Sequence, residues 1–231
     1  MEMTSAKNVL RTLKSLANAK NRAGMSRFGI KTKNAYGISV PVLRELAKKI
    51  GTDHALALQL WEGGVHEARL LAGFVDDPSK VTERQMEKWV KDFDSWDVCD
   101  QSCGFLFDKT KFARAKAIEW TLREDEFVKR AGFVLMAALS VHDKSAEDAL
   151  FLKFLPIIQK ESADERNFVK KGVNWALRQI GKRNLKLNKK AIEAGKRIAR
   201  LTSKSAKWIA SDALRELTSK RVQSKLKSKR T

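Results

Sequence analysis

The feature that most constrains the fold is an amphipathic pattern that repeats over long distance. FVKRAGFVLMAAL, beginning at Phe127, returns 41 residues later as FVKKGVNWALRQI, beginning at Phe168, and Ala176-Leu177-Arg178 returns 37 residues on as Ala213-Leu214-Arg215. Apolar residues recur at helical spacing through most of the chain. Helix-start signals fall between the periodic stretches at Ser39 with Pro41, Asp53, Thr82 with Gln85, Ser95, Ser145 with Asp148, Asn188 and Ser205. With only 3 prolines and 12 glycines in 231 residues, the chain lacks the turn residues an all-β fold needs. About twelve helices joined by short loops are predicted. Near the start, Val9, Leu10, Leu13, Leu16 and Ala17 form a stripe that fits a core-facing helix better than one lying on a membrane.

A period of this size, carried by two helices and no strand, is that of HEAT-like helical repeats stacked into a curved α-solenoid. The expected class is therefore all-α. An irregular bundle whose basic helices resemble one another by chance is the alternative. In a solenoid, equivalent helices line one concave face and turn Arg130, Lys170, Lys171, Arg178 and Arg215 toward a common surface.

Charge gives that surface a partner. The formal net charge is +20. Residues 1–50 carry 11 basic and 2 acidic side chains and residues 182–231 carry 17 and 3, while the middle carries 19 and 22. Two basic ends around a slightly acidic middle suit a groove for a polyanion, and nucleic acid is the obvious one. One domain is expected over 1–220, followed by a flexible basic tail, 221–231, which either joins the groove or is a solvated bystander.

Other function classes lose their footing. Cys99 and Cys103 form no disulfide framework, His54, His66 and His142 are scattered, and no zinc ligand set accompanies them. No Gly-rich phosphate loop, HExxH or Ser-His-Asp ordering stands in the chain. Neither a signal peptide nor an apolar run of about 20 residues is present. A cytoplasmic protein without metal or other cofactor is expected.

The stretch FDSWDVCDQSCGFLF, 93–107, is the most unusual. With Ser95 as N-cap, Trp96, Asp100 and Cys103 share one helix face. One reading makes Trp96 and Cys103 core residues, pairs Asp100 with a neighbouring cation, and lets Asp92, Asp94 and Asp97 complement the helix dipole. The other notes that a carboxylate beside an indole in a polyanion-binding protein suits chemistry that develops positive charge.

The residues resemble the AlkD-like alkylpurine DNA glycosylases, the HEAT-like repeat DNA alkylation repair family, over most of the chain. YGISVPVLRELAKKIG (36–51) and LWEGGVHEARLLAGFVDD (60–77) are similar to the family's early helices. SWDVCD (95–100) is similar to its Trp and Asp four residues apart, EFVKRAGFVL (126–135) to the helix with its arginine, and NFVKKGVNWALRQ (167–179) to the helix with its second tryptophan. The resemblance implies catalytic roles for Trp96, Asp100, Arg130 and Trp175, and DNA contacts from Lys170, Lys171, Arg178 and Arg215. A family tyrosine near the start is replaced, with Phe28 as the candidate. The implied activity is hydrolysis of the N-glycosidic bond of cationic alkylated purines in double-stranded DNA by a monomer, without a cofactor. A non-catalytic HEAT-like scaffold that binds nucleic acid nonspecifically is the alternative.

Overall fold

A computed structural model describes residues 5–228, and among them every regular element is helical. They form two compact units, one ending at Thr110 and one beginning at Lys111, where one domain over 1–220 is expected from sequence. The first unit holds α1 (Ala6–Ser15), α2 (Ala19–Met25), α3 (Val40–Ile50), α4 (His54–Glu62), α5 (His66–Val75), α6 (Glu83–Lys91) and α7 (Trp96–Phe105). The second holds α8 (Ala113–Glu119), α9 (Glu126–His142), α10 (Asp148–Glu161), α11 (Asn167–Gly181), α12 (Leu185–Ile198), α13 (Lys204–Leu217) and α14 (Lys220–Ser228). None of these helices is long and apolar enough to cross a membrane.

In the first unit, Trp61 of α4 stacks on Trp89 of α6 with ring centroids 3.9 Å apart, and Phe93 and Phe107 close the cluster. Val9 and Leu13 anchor α1 in the core, whereas Leu16 is exposed. Asp53 and Thr82 cap α4 and α6 through their side chains, accepting from the backbone N–H groups of Leu56 and Gln85, as their sequence pattern predicts. Gly37 has φ +80°, and a Cβ there would lie 2.3 Å from the Asn18 carbonyl oxygen. No other residue fits the turn before α3.

The second unit is organised around α9, which is buried without interruption from Val128 to Ser140. A Cβ on Gly132 would come within 2.7 Å of the Thr121 nitrogen, so this glycine lets α9 sit against the backbone of the turn before it. Helices α9, α11 and α13 stand side by side in that order, while α10 packs on α12. That double row of helices is the repeat arrangement the 41-residue spacing predicts.

Three predicted helix starts shift. Asn184 caps α12 in place of Asn188, which is buried and donates to the Gly181 carbonyl at 2.8 Å. Ser203 caps α13 in place of Ser205, whose buried hydroxyl donates to Glu165 at 3.0 Å. Glu147, not Ser145, precedes α10. Most of the expected basic tail is helical: α14 buries Val222 and Leu226, an i, i+4 pair that faces the unit. Residues 229–231 of that tail lie outside the described residues.

Candidate functional site

Helix α7 begins at Trp96 because Ser95 is extended and the chain turns helical immediately after it. Trp96 and Asp100 follow one turn apart on the same face, both half-buried, while Cys103 further along that face is fully buried. The Trp96 Nε1–H donates to the Phe28 carbonyl oxygen at 3.0 Å, and the Phe28 ring stands 68% exposed. Cys99 and Cys103 are buried free thiols. Burial, reinforced by the Cys99 neighbour, pushes the Cys103 thiol well above its ordinary range.

The carboxylates around Trp96 divide by environment. Asp92 accepts from the Trp61 indole N–H at 2.8 Å, with Arg69 3.9 Å away. Asp94 faces Lys31 at 3.9 Å. Asp97 is buried and meets His66 Nε2 at 2.8 Å. Burial acts to raise the Asp97 pKa, but the hydrogen bond and charge of His66 outweigh it and the net direction is down. Burial acts to lower His66, and Asp97, Glu67 and Asp94 together raise it. The two form a hydrogen-bonded pair beneath the start of α7, in which each favours the charged form of the other. Next to His66, fully buried Glu67 accepts from the backbone N–H groups of Tyr36, Gly37 and Ile38. It fixes the segment that runs back toward Phe28.

In the second unit, Arg130 of α9 is only 5% exposed and its Nη1 donates to the Phe168 carbonyl oxygen at 2.6 Å. It therefore ties α9 to the first turn of α11, the helix that carries half-buried Trp175. Lys171 is exposed one turn before Trp175, and the Lys170 ammonium lies 5.2 Å from the Trp208 ring centroid. Arg178 is engaged by acids of α13: Nη1 meets Asp212 at 3.1 Å, and Nε pairs with Glu216. Lys182 adds a second bond to Glu216 at 3.0 Å. Exposed Arg215 also pairs with Asp212. The expected residues thus fall into two sets, Trp96 and Asp100 on one face of α7, and Arg130, Trp175 and the basic residues across α9, α11 and α13.

A cavity of about 650 Å³ in the second unit, lined by Ser140, Lys144, Arg183 and Lys225 among others, contains none of these eight residues. Among the described residues no cluster of three or more His, Cys, Asp or Glu side chains is placed to hold a metal ion. Sequence reasoning missed the His66–Asp97 pair, the Glu67 cradle and the Asp212–Glu216 acceptors. The first two had a signal: adjacent titratable residues, His66-Glu67, opening an otherwise apolar helix demand buried partners.

Comparison with known proteins places this geometry in context. The family model described as DNA alkylation repair enzyme matches residues 9–217. The uncharacterized protein Lin0241 of Listeria innocua is 25% identical over 169 residues, covering 72% of this chain and 73% of its own. A solved structure described as a new family of proteins related to the HEAT-like repeat DNA glycosylases, with affinity for branched DNA structures, superposes with a TM-score of 0.75. It is 19% identical and the match covers 92% of this chain and 95% of that one, so the fold is of the HEAT-like repeat type.

Proposed function

The chain belongs to the DNA alkylation repair enzyme family, and from that premise we propose that it is a DNA glycosylase. It hydrolyses the N-glycosidic bond of cationic alkylated purines, such as N3-methyladenine and N7-methylguanine, in duplex DNA. The observation that carries this reading is the half-buried Trp96–Asp100 pair, one turn apart on α7, in a strongly basic chain. Alkylation turns the purine into a positively charged leaving group, so its departure needs little protonation. The sugar left behind is oxocarbenium-like.

Asp100 stabilises that cation and positions the attacking water. Trp96, on the same face of α7 as Asp100, offers an aromatic face to the deoxyribose of the damaged nucleotide and gains cation–π attraction as charge develops, and Trp175 is the second aromatic residue that the family resemblance assigns to this role. Arg130 acts chiefly by position: buried and bonded to the Phe168 carbonyl, it sets α11 and thereby Trp175. Lys170 and Lys171 supply phosphate contacts that fix register without reading sequence. The enzyme works as a monomer, and its two buried free thiols suit a reducing compartment.

The test is incubation of the purified protein with methylated duplex DNA, followed by analysis of released bases. Free alkylpurine and an equal yield of abasic sites are expected. Intact methylated DNA at the end would overturn the reading. Likeness to a protein described as having affinity for branched DNA favours a second reading, DNA binding without glycosylase chemistry, and the same assay separates the two.

A further inference from the structure

Trp208 of α13 is a large aromatic side chain, 42% exposed, that neither the core nor the proposed chemistry uses. Two neighbouring helices give it a distinct setting. On α11, Phe168 faces α9, with its ring 5.2 Å from that of Phe127, and Lys170 faces α13, with its ammonium 5.2 Å from the Trp208 centroid. On α13, Lys204, one turn before Trp208, and Lys207, next to it in sequence, are exposed, as is Lys171, next to Lys170 on α11. Among the described residues, none of these four lysines enters an ion pair, whereas Arg178, Lys182 and Arg215 nearby all pair with Asp212 or Glu216. Glu165, the acid closest to the start of α13, is taken up by Ser203 and Ser205.

We propose that Trp208, flanked by Lys170, Lys171, Lys204 and Lys207, is a stacking site for an unpaired base of a single-stranded DNA segment. A part-exposed indole with one ammonium group 5.2 Å from its centroid, and further lysines without an ion pair on the same two helices, matches a nucleotide whose base is free to stack and whose phosphates flank it. The interior of a duplex offers no such base, because both faces of each are already covered by neighbours. Stacking on a base is stronger than the exposed cation–π contact it displaces. Lys170 then swings from the ring to an adjacent phosphate. The site rests on the reading that the chain binds DNA, and not on the chemistry proposed at Asp100.

Two fluorescein-labelled hairpins with the same stem test it, one blunt and one carrying a thymidine overhang of roughly ten nucleotides. The wild-type protein should bind the tailed hairpin about 10-fold more tightly than the blunt one. Trp208→Ala should erase that preference and leave blunt-hairpin affinity unchanged, and Trp208→Phe should keep most of the preference because a smaller ring still stacks. Equal wild-type affinity for the two hairpins, an alanine variant that keeps the preference, or one that weakens both hairpins alike overturns the proposal. Release of 7-methylguanine from methylated blunt duplex, measured in parallel, should not respond to Trp208→Ala. A wild-type protein that releases no base yet prefers the tailed hairpin would defeat the glycosylase reading and leave the stacking site standing.

Discussion

Replacing Glu67 by glutamine removes one charge and one acceptor while keeping the side-chain shape, so its effect isolates the cradle from packing. The carboxylate is 0% exposed; Oε2 accepts from Tyr36 N at 2.8 Å, and Oε1 from Gly37 N at 2.6 Å and Ile38 N at 3.2 Å. Glutamine keeps one oxygen and presents an NH₂ group to at least one N–H that already points inward. That donor is orphaned in a site closed to water. A hydrogen bond to a charged group contributes about 1.5–3 kcal/mol, and an unsatisfied buried donor costs about 1–3 kcal/mol. Relief of the buried charge offsets part of this. A net loss of about 2–4 kcal/mol is expected. Urea denaturation followed by tryptophan fluorescence measures it, and amide exchange at Tyr36, Gly37 and Ile38 shows whether the loss is local. The consequence reaches the site, because the same stretch carries Phe28, whose carbonyl accepts from Trp96. A Glu67→Gln protein within about 0.5 kcal/mol of wild type, with those three amides still protected, would refute the cradle as the element that holds this segment.

Asp100→Asn should lower the rate of 7-methylguanine release by about 10²–10³ while leaving DNA affinity intact, since the lost charge acts on the transition state; a wild-type rate would remove Asp100 from the proposed chemistry. Lys171→Ala should flatten the log–log salt dependence of duplex binding by about 0.9, one phosphate contact. Arg178→Ala should leave that slope alone and lower stability by about 1 kcal/mol instead, so equal slopes for the two variants would contradict the assignment of Arg178 to α13. The His66–Asp97 pair makes stability pH-dependent in both directions. Raised His66 contributes stability below its unfolded pKa of about 6.5 that is lost as pH rises through its folded value. Lowered Asp97 contributes stability above its unfolded pKa of about 3.9 that is lost as pH falls through its folded value. A maximum in denaturation midpoint between these limits is expected from the pair, and His66→Gln should remove the decline on the alkaline side.

The helical class and the placement of the repeats were legible because they rest on local chemistry. Asp53 and Thr82 cap their helices within three residues of themselves, and an apolar stripe is visible wherever a helix is half-buried. Asn188 and Ser205 misled for the opposite reason. Each is a polar residue suited to an N-cap, but each is buried against a partner distant in sequence, Leu217 for Asn188 and Glu165 for Ser205. Local pattern cannot distinguish a cap from a tertiary staple. The helical part of the tail was legible in principle, since Val222 and Leu226 are spaced to face a core, but the run of lysines around them reads as a solvated block. Trp96 and Asp100 share a face because i and i+4 must do so on any helix; that Asp97 between them serves His66 depends on α5, and the sequence around Asp97 itself carried no trace of it.

Charge was the least legible quantity at the level of single residues, and the helix repeat explains why. Each interior helix has two neighbours in its row, so part of its polar face is consumed in holding them. On α11, Phe168 receives Arg130 through its carbonyl on one side, and Asn174 and Arg178 reach Asp212 and Glu216 of α13 on the other. A basic residue whose angular position points at the next helix meets that helix's acids before it meets any ligand. Lys171, one turn before Trp175, points at neither neighbour's acids and keeps its charge for solvent. Four basic residues grouped by repeat spacing therefore differ in their partners: Arg178 meets Asp212 and Glu216 of α13, Arg215 pairs with Asp212 on its own helix, and Lys170 and Lys171 enter no ion pair among the described residues. Counterion release on DNA binding requires cations that are not already neutralised, so the proposed electrostatic part of recognition in the second unit is assigned to Lys170 and Lys171, while Arg178 serves to tie α11 to α13.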